Sequence, residues 1–342
     1  MQRRRTAPLL SALLLALLVL PALGRAADPA STDSLWRKPL QSRNQFPVLL
    51  LFLGFEPERA ASLGAGETSF NLDLGLTNII RNSAVSPDPS SDRLKLDYEY
   101  WRIMPQYQVG LGRGFEASVS LPLFYRGGGF MDAFISSFHE TFGFTNNVRR
   151  RTPNDQFVYD FRIGGRQVVG PLERGMVLGD LVLAVKKSWN LSGTEVGLRA
   201  ALKAPTGSWE RAAGSGGFDL GLGFLLSGSG RRVGYVLNAG YYILGPSKIP
   251  GLVPRNYFSL MGGLDFLIGR RFDLLIQVDG DSRFVESLIP ILDKPTGQIT
   301  AGFRWRLAQR VCLEFRLSED LAATNPDFTF GLRLEFLTLK PR

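Results

Sequence analysis

The stretch "TSFNLDLGLTN", residues 68–78, decides the fold. Phe70, Leu72, Leu74 and Leu76 fall on one parity and Ser69, Asn71, Asp73, Gly75 and Thr77 on the other. That two-residue period belongs to a strand with one apolar face. Near the other end of the chain, "FTFGLRLEF" (328–336) repeats the scheme, with Phe328, Phe330, Leu332, Leu334 and Phe336 against Thr329, Gly331, Arg333 and Glu335. A slip of one residue would invert both faces, so such patterns fix register strongly.

Working outward, the same alternation, with breaks, marks 94–111, 115–123, 181–189, 196–204, 218–226, 233–243, 258–268, 272–278, 299–307 and 311–317. With the two quoted stretches this makes about twelve strands, most of them near the roughly 9 to 11 residues that a tilted strand needs to cross a bilayer. Short connections fall at 112–114, 190–193, 227–232, 269–271 and 308–310, and long ones near 80–92, 124–176, 205–215, 245–255, 280–296 and 318–326. Short periplasmic turns alternating with long extracellular loops are the pattern of an outer-membrane barrel. An even strand number leaves both termini in the periplasm. The expected fold is all-β: a transmembrane antiparallel up-and-down β-barrel occupying 67–337, with a tail at 338–342.

Two segments do not fit the simple count. "FVYDFRIGG" (157–165) alternates, yet counting it as a spanning strand breaks the short-long rule, so it is expected as strand structure inside the long loop. "VLLLFLGF" (48–55) is apolar without alternation. It lies in the N-terminal segment 27–66, expected either in the periplasm or as a plug. As an extra strand it would move the count toward fourteen.

A soluble sandwich also alternates. The discriminator is an apolar face rich in Leu, Phe, Tyr and Trp, with Tyr98, Tyr100, Trp189, Tyr241, Trp305 and Phe336 toward strand ends, as in interfacial girdles. The first residues agree. Arg3, Arg4 and Arg5 precede a short apolar run from Leu9 to Leu20, then Pro21, Gly24 and Ala26, which is the order of a secretory signal peptide over 1–26. Its removal takes four arginines from the formal charge of +9, leaving +5. No basic stripe with interleaved aromatics suggests nucleic acid.

One cysteine, Cys312, cannot form a disulfide within the chain, and one histidine, His139, cannot build a His-rich metal site. No cofactor or metal is expected, and enzyme signatures are weak. "GLGRG" (110–114) joins two strands and opens no helix, and "GSGG" (214–217) is not a nucleophile elbow. His139 has no sequence-placed serine partner, which leaves an outer-membrane lipid hydrolase as the third functional reading.

The parity assigns lumen charges: Asp73, Lys95, Asp97, Glu99, Glu116, Lys186, Arg199, Lys203, Asp219, Asp265, Asp273, Asp279, Arg304, Arg306, Glu314, Arg316, Arg333 and Glu335. They fit either a water-filled pore whose charges select a small solute or ion pairs that fill and stiffen the barrel. A non-transporting structural or adhesion barrel is the alternative to a channel. The phenylalanine-rich stretch "GGGFMDAFISSFHETFG" (127–143) spaces Phe130, Phe134, Phe138 and Phe142 every four residues. This predicts a short amphipathic helix, with His139 mostly off the apolar stripe, in the longest extracellular loop. Its stripe is expected to pack on the barrel mouth or inner wall, as a plug, or to act as a lid over an apolar ligand.

Several pieces together resemble an uncharacterised family of bacterial outer-membrane barrels known only as a domain of unknown function. They are "RNQFP" (43–47), "LDYEYWR" (96–102), "GGFMD" with "SFHETFGF", "LGDL" (178–181), "KAPTG" (203–207) with "GSGGFD" (214–219), and "NPDFTFGL" (325–332). The resemblance implies a Gram-negative outer-membrane location and no transferable activity. The end of the chain departs from the usual pattern, because Leu337 to Arg342 follow Phe336, whereas barrels commonly finish on an aromatic read by the insertion machinery. Expected partners are outer-membrane lipid and lipopolysaccharide, that insertion machinery and a small solute, with no nucleic acid. The basic run "NNVRRR" (146–151) could meet lipopolysaccharide or stay solvated.

Overall fold

The computed structural model describes residues 33–88, 90–142, 152–170, 172–322, 326 and 328–340. The signal peptide over 1–26 and the basic run 146–151 lie outside the described residues.

The wall is a closed antiparallel barrel of 12 strands. Its members are β1 (Thr68–Ala84), β2 (Arg93–Gly112), β3 (Phe115–Ser120) continued by β4 (Leu123–Gly127), and β7 (Gly175–Leu178) continued by β8 (Leu181–Leu191). There follow β9 (Thr194–Ala204), β10 (Asp219–Ser229), β11 (Val233–Leu244), β13 (Tyr257–Leu267), β14 (Phe272–Asp281), β16 (Gln298–Ala308), β17 (Val311–Asp320) and β18 (Phe328–Thr338). All twelve expected strands are present, so the count is twelve and not fourteen.

The two stretches that opened the reading meet and close the barrel. β1 pairs β18 from Thr68↔Thr338 to Asn78↔Phe328, with Asp73 opposite Arg333. Closure leaves no sheet edge in the hydrocarbon, where an unpaired backbone group would be costly. One wall strand breaks at Pro122, which has no N–H for the ladder. Its neighbour breaks at the same level, and the amide of Gly179 donates to the carbonyl of Pro122 at 2.8 Å.

Long connections carry the remaining elements. Helix α1 (Asp33–Trp36) precedes the barrel, and helix α2 (Asp132–Phe142) lies in the longest loop. That loop also holds the hairpin β5 (Val158–Ile163) and β6 (Arg166–Val169), where the alternation at 157–165 placed strand structure. β5 adds to the outer end of β2, pairing Asp97↔Val158 through Arg93↔Arg162. A two-residue ladder between β12 (Val253–Pro254) and β15 (Val285–Glu286) ties two further loops together.

Candidate functional site

The lumen is the candidate site, and residues of the segment 33–66 fill it. This segment joins no wall strand. Every buried amide must still find an acceptor, and inward side chains of the wall supply several. On the way up from the short-turn end, Leu40 N–H donates to Gln277 Oε1 at 2.9 Å and Gln41 N–H to Glu314 Oε1 at 3.0 Å. The Ser42 hydroxyl donates to Asp279 Oδ1 at 2.8 Å. The chain reverses through a single 3-10 turn at Leu49–Leu51, where Arg43 donates to the carbonyl of Phe52 at 2.7 Å.

On the way down, Leu53 N–H donates to Asp219 Oδ2 at 2.7 Å, and its carbonyl accepts from the Tyr257 hydroxyl at 2.8 Å. Glu58 N–H donates to Asn238 Oδ1 at 2.9 Å and Leu63 N–H to Glu116 Oε2 at 2.8 Å. Gly66 N–H then donates to the carbonyl of Gly110 at 2.7 Å, which leads the chain into β1. A side chain at Gly110 would collide with the backbone of Leu63 and Gly64, so only glycine lets this end close.

Around the lower arm, ion pairs dominate. Glu58 pairs with Lys186 at 2.7 Å and with Arg199 at 2.9 Å, Lys186 also with Glu116 at 3.0 Å, and Arg59 with Glu116 and Glu335 at 3.3 Å each. Glu56 pairs with Arg43 at 3.0 Å and with Arg102, and Lys38 pairs with Glu335. Burial opposes the charged form of Glu56, but Arg102 and Arg43 outweigh it and hold this carboxyl below its ordinary range. The void bounded by Lys38, Gln41, Glu56, Glu58, Arg59 and Arg333 holds only about 10 Å³, roughly one water. A larger vestibule of about 510 Å³ opens at the short-turn end, lined by Trp36, Arg270, Arg271, Arg306, Arg310 and Lys340 among others.

The upper end of the lumen is apolar. Phe46, Leu49, Leu51 and Phe52 join Leu94, Leu96, Tyr98 and Tyr100 of β2 in one buried cluster. Loop residues close over it: Tyr159, Phe161 and Val169 from the β5–β6 hairpin, then Ile249, Leu252, Phe284, Ile289 and Leu292.

Most of the lumen charges read from the sequence do line the interior. Asp73 holds Arg316 through two contacts at 2.7 and 3.0 Å. Lys203 meets Asp180 at 2.5 Å and Asp219 at 3.3 Å. Arg304 lies 3.3 Å from Asp265, Arg306 lies 3.1 Å from Asp273, and Arg333 donates to Asn71 at 2.9 Å. Glu116, Lys186, Arg199, Glu314 and Glu335 belong to the network around residues 38–63.

Three assignments need correction. Lys95, Asp97 and Glu99 stand on the outward parity of β2, and Leu94, Leu96, Tyr98 and Tyr100 face inward, continuous with Arg102 and Gln108. Tyr98 and Tyr100 are therefore not girdle residues. Trp189, Trp305 and Phe336 are exposed on the outer surface. The error came from equating apolar with lipid-facing where the interior itself is apolar. Arg102 and the charges at 38–59 are lumen residues of the candidate site that the sequence reading missed. The unbroken parity from Leu94 through Gln108 could have placed Arg102.

Helix α2 also lies elsewhere than expected. Met131 and Ile135 pack with Leu76, Phe328, Trp101, Leu317 and Phe330, all on outward parities of β1, β18, β2 and β17. The helix therefore rests on the outside of the wall, neither across the mouth nor in the lumen. Phe130 is 68% exposed, whereas Phe134, 52% exposed, still sets its ring 6.0 Å from that of Phe330 on the wall. The side chains of Phe138, His139 and Phe142 lie outside the described residues. Glu99 caps the helix, accepting from Phe130 N–H at 3.0 Å and from Met131 N–H. A Cβ at Gly129, where φ is +86°, would overlap that carboxylate.

A closed twelve-stranded barrel with a girdled apolar outer face and a charged, internally filled lumen defines an outer-membrane-type β-barrel. The chain belongs to the family described as "Protein of unknown function (DUF3187)", whose profile matches residues 15–337. No curated protein matches it in sequence. Among solved structures, an outer membrane channel from Pseudomonas putida F1 is similar over 83% of this chain and 100% of its own, with 13% identity and a TM-score of 0.55. The KdgM porin is similar over 78% of this chain and 98% of its own, at 6% identity and a TM-score of 0.42. The Ralstonia pickettii toluene transporter TbuX covers 83% and 92%, at 8% and 0.38. The first of these likenesses supports the fold.

Proposed function

We propose that this protein is a gated outer-membrane channel for a small solute, closed at rest by its own segment 33–66 acting as a plug. One observation carries the reading: every wall strand is hydrogen-bonded on both sides to another wall strand, so the plug fills the barrel without building it. Along its lower arm the plug is held by ion pairs and hydrogen bonds, contacts that water and solute can replace one for one. With the plug displaced, twelve strands enclose a lumen of intermediate width lined by charge, the setting in which side chains set solute preference. The signal peptide exports the chain, and the outer face meets lipid and lipopolysaccharide.

Planar-bilayer recording of the full chain and of a variant lacking 37–62 tests this. The deletion variant is expected to give sustained single-channel steps, and the full chain brief or rare ones. A deletion variant that retains heat-modifiable gel mobility, the mark of a folded barrel, and yet conducts nothing would favour a non-transporting structural barrel.

A further inference from the structure

Glu56 and Glu58 flank Pro57 on the descending arm of the plug, and residues two apart on an extended chain project to the same side about 7 Å apart. Each carboxylate meets wall cations from different strands: Glu56 meets Arg102 of β2, and Glu58 meets Lys186 of β8 and Arg199 of β9 at 2.7 and 2.9 Å. The Nε and Nη1 groups of Arg102 are buried and reach no protein acceptor, so the wall presents more donors here than Glu56 takes up.

The plug also lays Lys38 and Arg59 on Glu335 and Glu116, which by itself would argue for a cation. The wall neutralises most of its own acids, however. Glu116 keeps Lys186 at 3.0 Å, Asp73 keeps Arg316 at 2.7 Å, and Glu314 keeps Arg304 and Arg316 at 3.9 Å each. Among the described residues, Arg102 and Arg199 have carboxylate partners at ion-pair distance only on the plug, and Arg333 donates to the neutral Asn71 and Gln41. Withdrawal of the plug leaves Arg102 of β2 and Arg199 of β9 without a carboxylate at ion-pair distance, whereas among the described residues the lumen carboxylates without a wall cation, Glu335 of β18 and Asp279 and Asp281 of β14, lie on strands that adjoin neither β2 nor β9.

We infer that the plug's acidic pair stands in a binding site for an organic dianion, and that a dicarboxylate of similar spacing competes with Glu56 and Glu58 for Arg102, Lys186 and Arg199. This rests on the gated-channel reading and names its solute class. Binding a dianion and releasing the plug are then one exchange, because a ligand moves an equilibrium toward the state it binds better.

Adipate serves as the probe, with 1,6-diaminohexane as the cationic counterpart of matching length. In bilayers, adipate is expected to raise the open probability of the full chain about tenfold, while the diamine leaves it unchanged. Glu56→Gln with Glu58→Gln should open the channel without adipate, and Arg199→Gln should blunt the adipate response. Equal responses to adipate and diamine in the full chain overturn the dianion site while the channel stands. A folded deletion variant that does not conduct removes the channel reading itself. If the double glutamine variant fails to insert, the adipate and diamine arms on the unmodified chain still decide.

Discussion

The two halves of the lumen hold the same plug by opposite physics. In the half near the short turns, contact runs through Glu56, Glu58, Arg59, Lys38 and their wall partners, almost all buried and charged. In the half near the long loops, it runs through Phe46, Leu49, Leu51 and Phe52 against apolar wall and loop residues. Apolar burial stabilises without direction and cannot be exchanged for water without loss. Buried ion pairs contribute little net stability when intact, yet losing one partner costs much, because the remaining charge is stranded. The apolar knot therefore anchors the segment, and under the proposed gating the polar half determines what can displace it.

Three substitutions probe this division, in order of decreasing expected effect. Arg316→Ala strands the buried Asp73 and should cost about 3–5 kcal/mol, read as a lowered guanidinium midpoint in detergent. Replacing both partners by apolar residues, Asp73→Leu with Arg316→Met, should cost less than this single change. If the double variant is the worse, the polar half is stabilising in its own right and the contrast fails. Leu51→Ala in the knot should cost about 2–5 kcal/mol. It should also raise hydrogen exchange at 46–53 before the wall strands respond, and unchanged exchange there would mean the knot is not the anchor. Glu99→Ala, on the outer side of the wall, removes the contacts at the helix start and one acceptor of Asn78, and should cost about 1 kcal/mol. Faster exchange confined to α2, with conductance unaltered, would keep the outer helix separate from the lumen.

The difference between the halves also explains how far the sequence could be read. The alternation in Thr68–Asn78 and Phe328–Phe336 was unambiguous because apolar residues there face lipid and polar ones face a polar interior, so local pattern and environment agree. At Leu94–Tyr100 the period was equally clear, yet the faces were assigned the wrong way round. Nothing local to β2 reveals that the nonalternating run at 48–55 lies against it. Helix α2 was foreseen as amphipathic, but Met131 and Ile135, outside the phenylalanine stripe, are its buried contacts, on a surface assembled from four strands distant in sequence.

By itself, the sequence determined the twelve alternating segments, their pairing order, the alternation of short and long connections and the existence of the loop helix, while leaving open whether 48–55 added strands to the count. All of these follow from local periodicity and chain connectivity. Only the tertiary structure decided which face of β2 looks inward, that 33–66 fills the barrel, and that α2 lies outside it. A strand's period states that its two faces differ, whereas the identity of what lies against each face depends on chain far away in sequence.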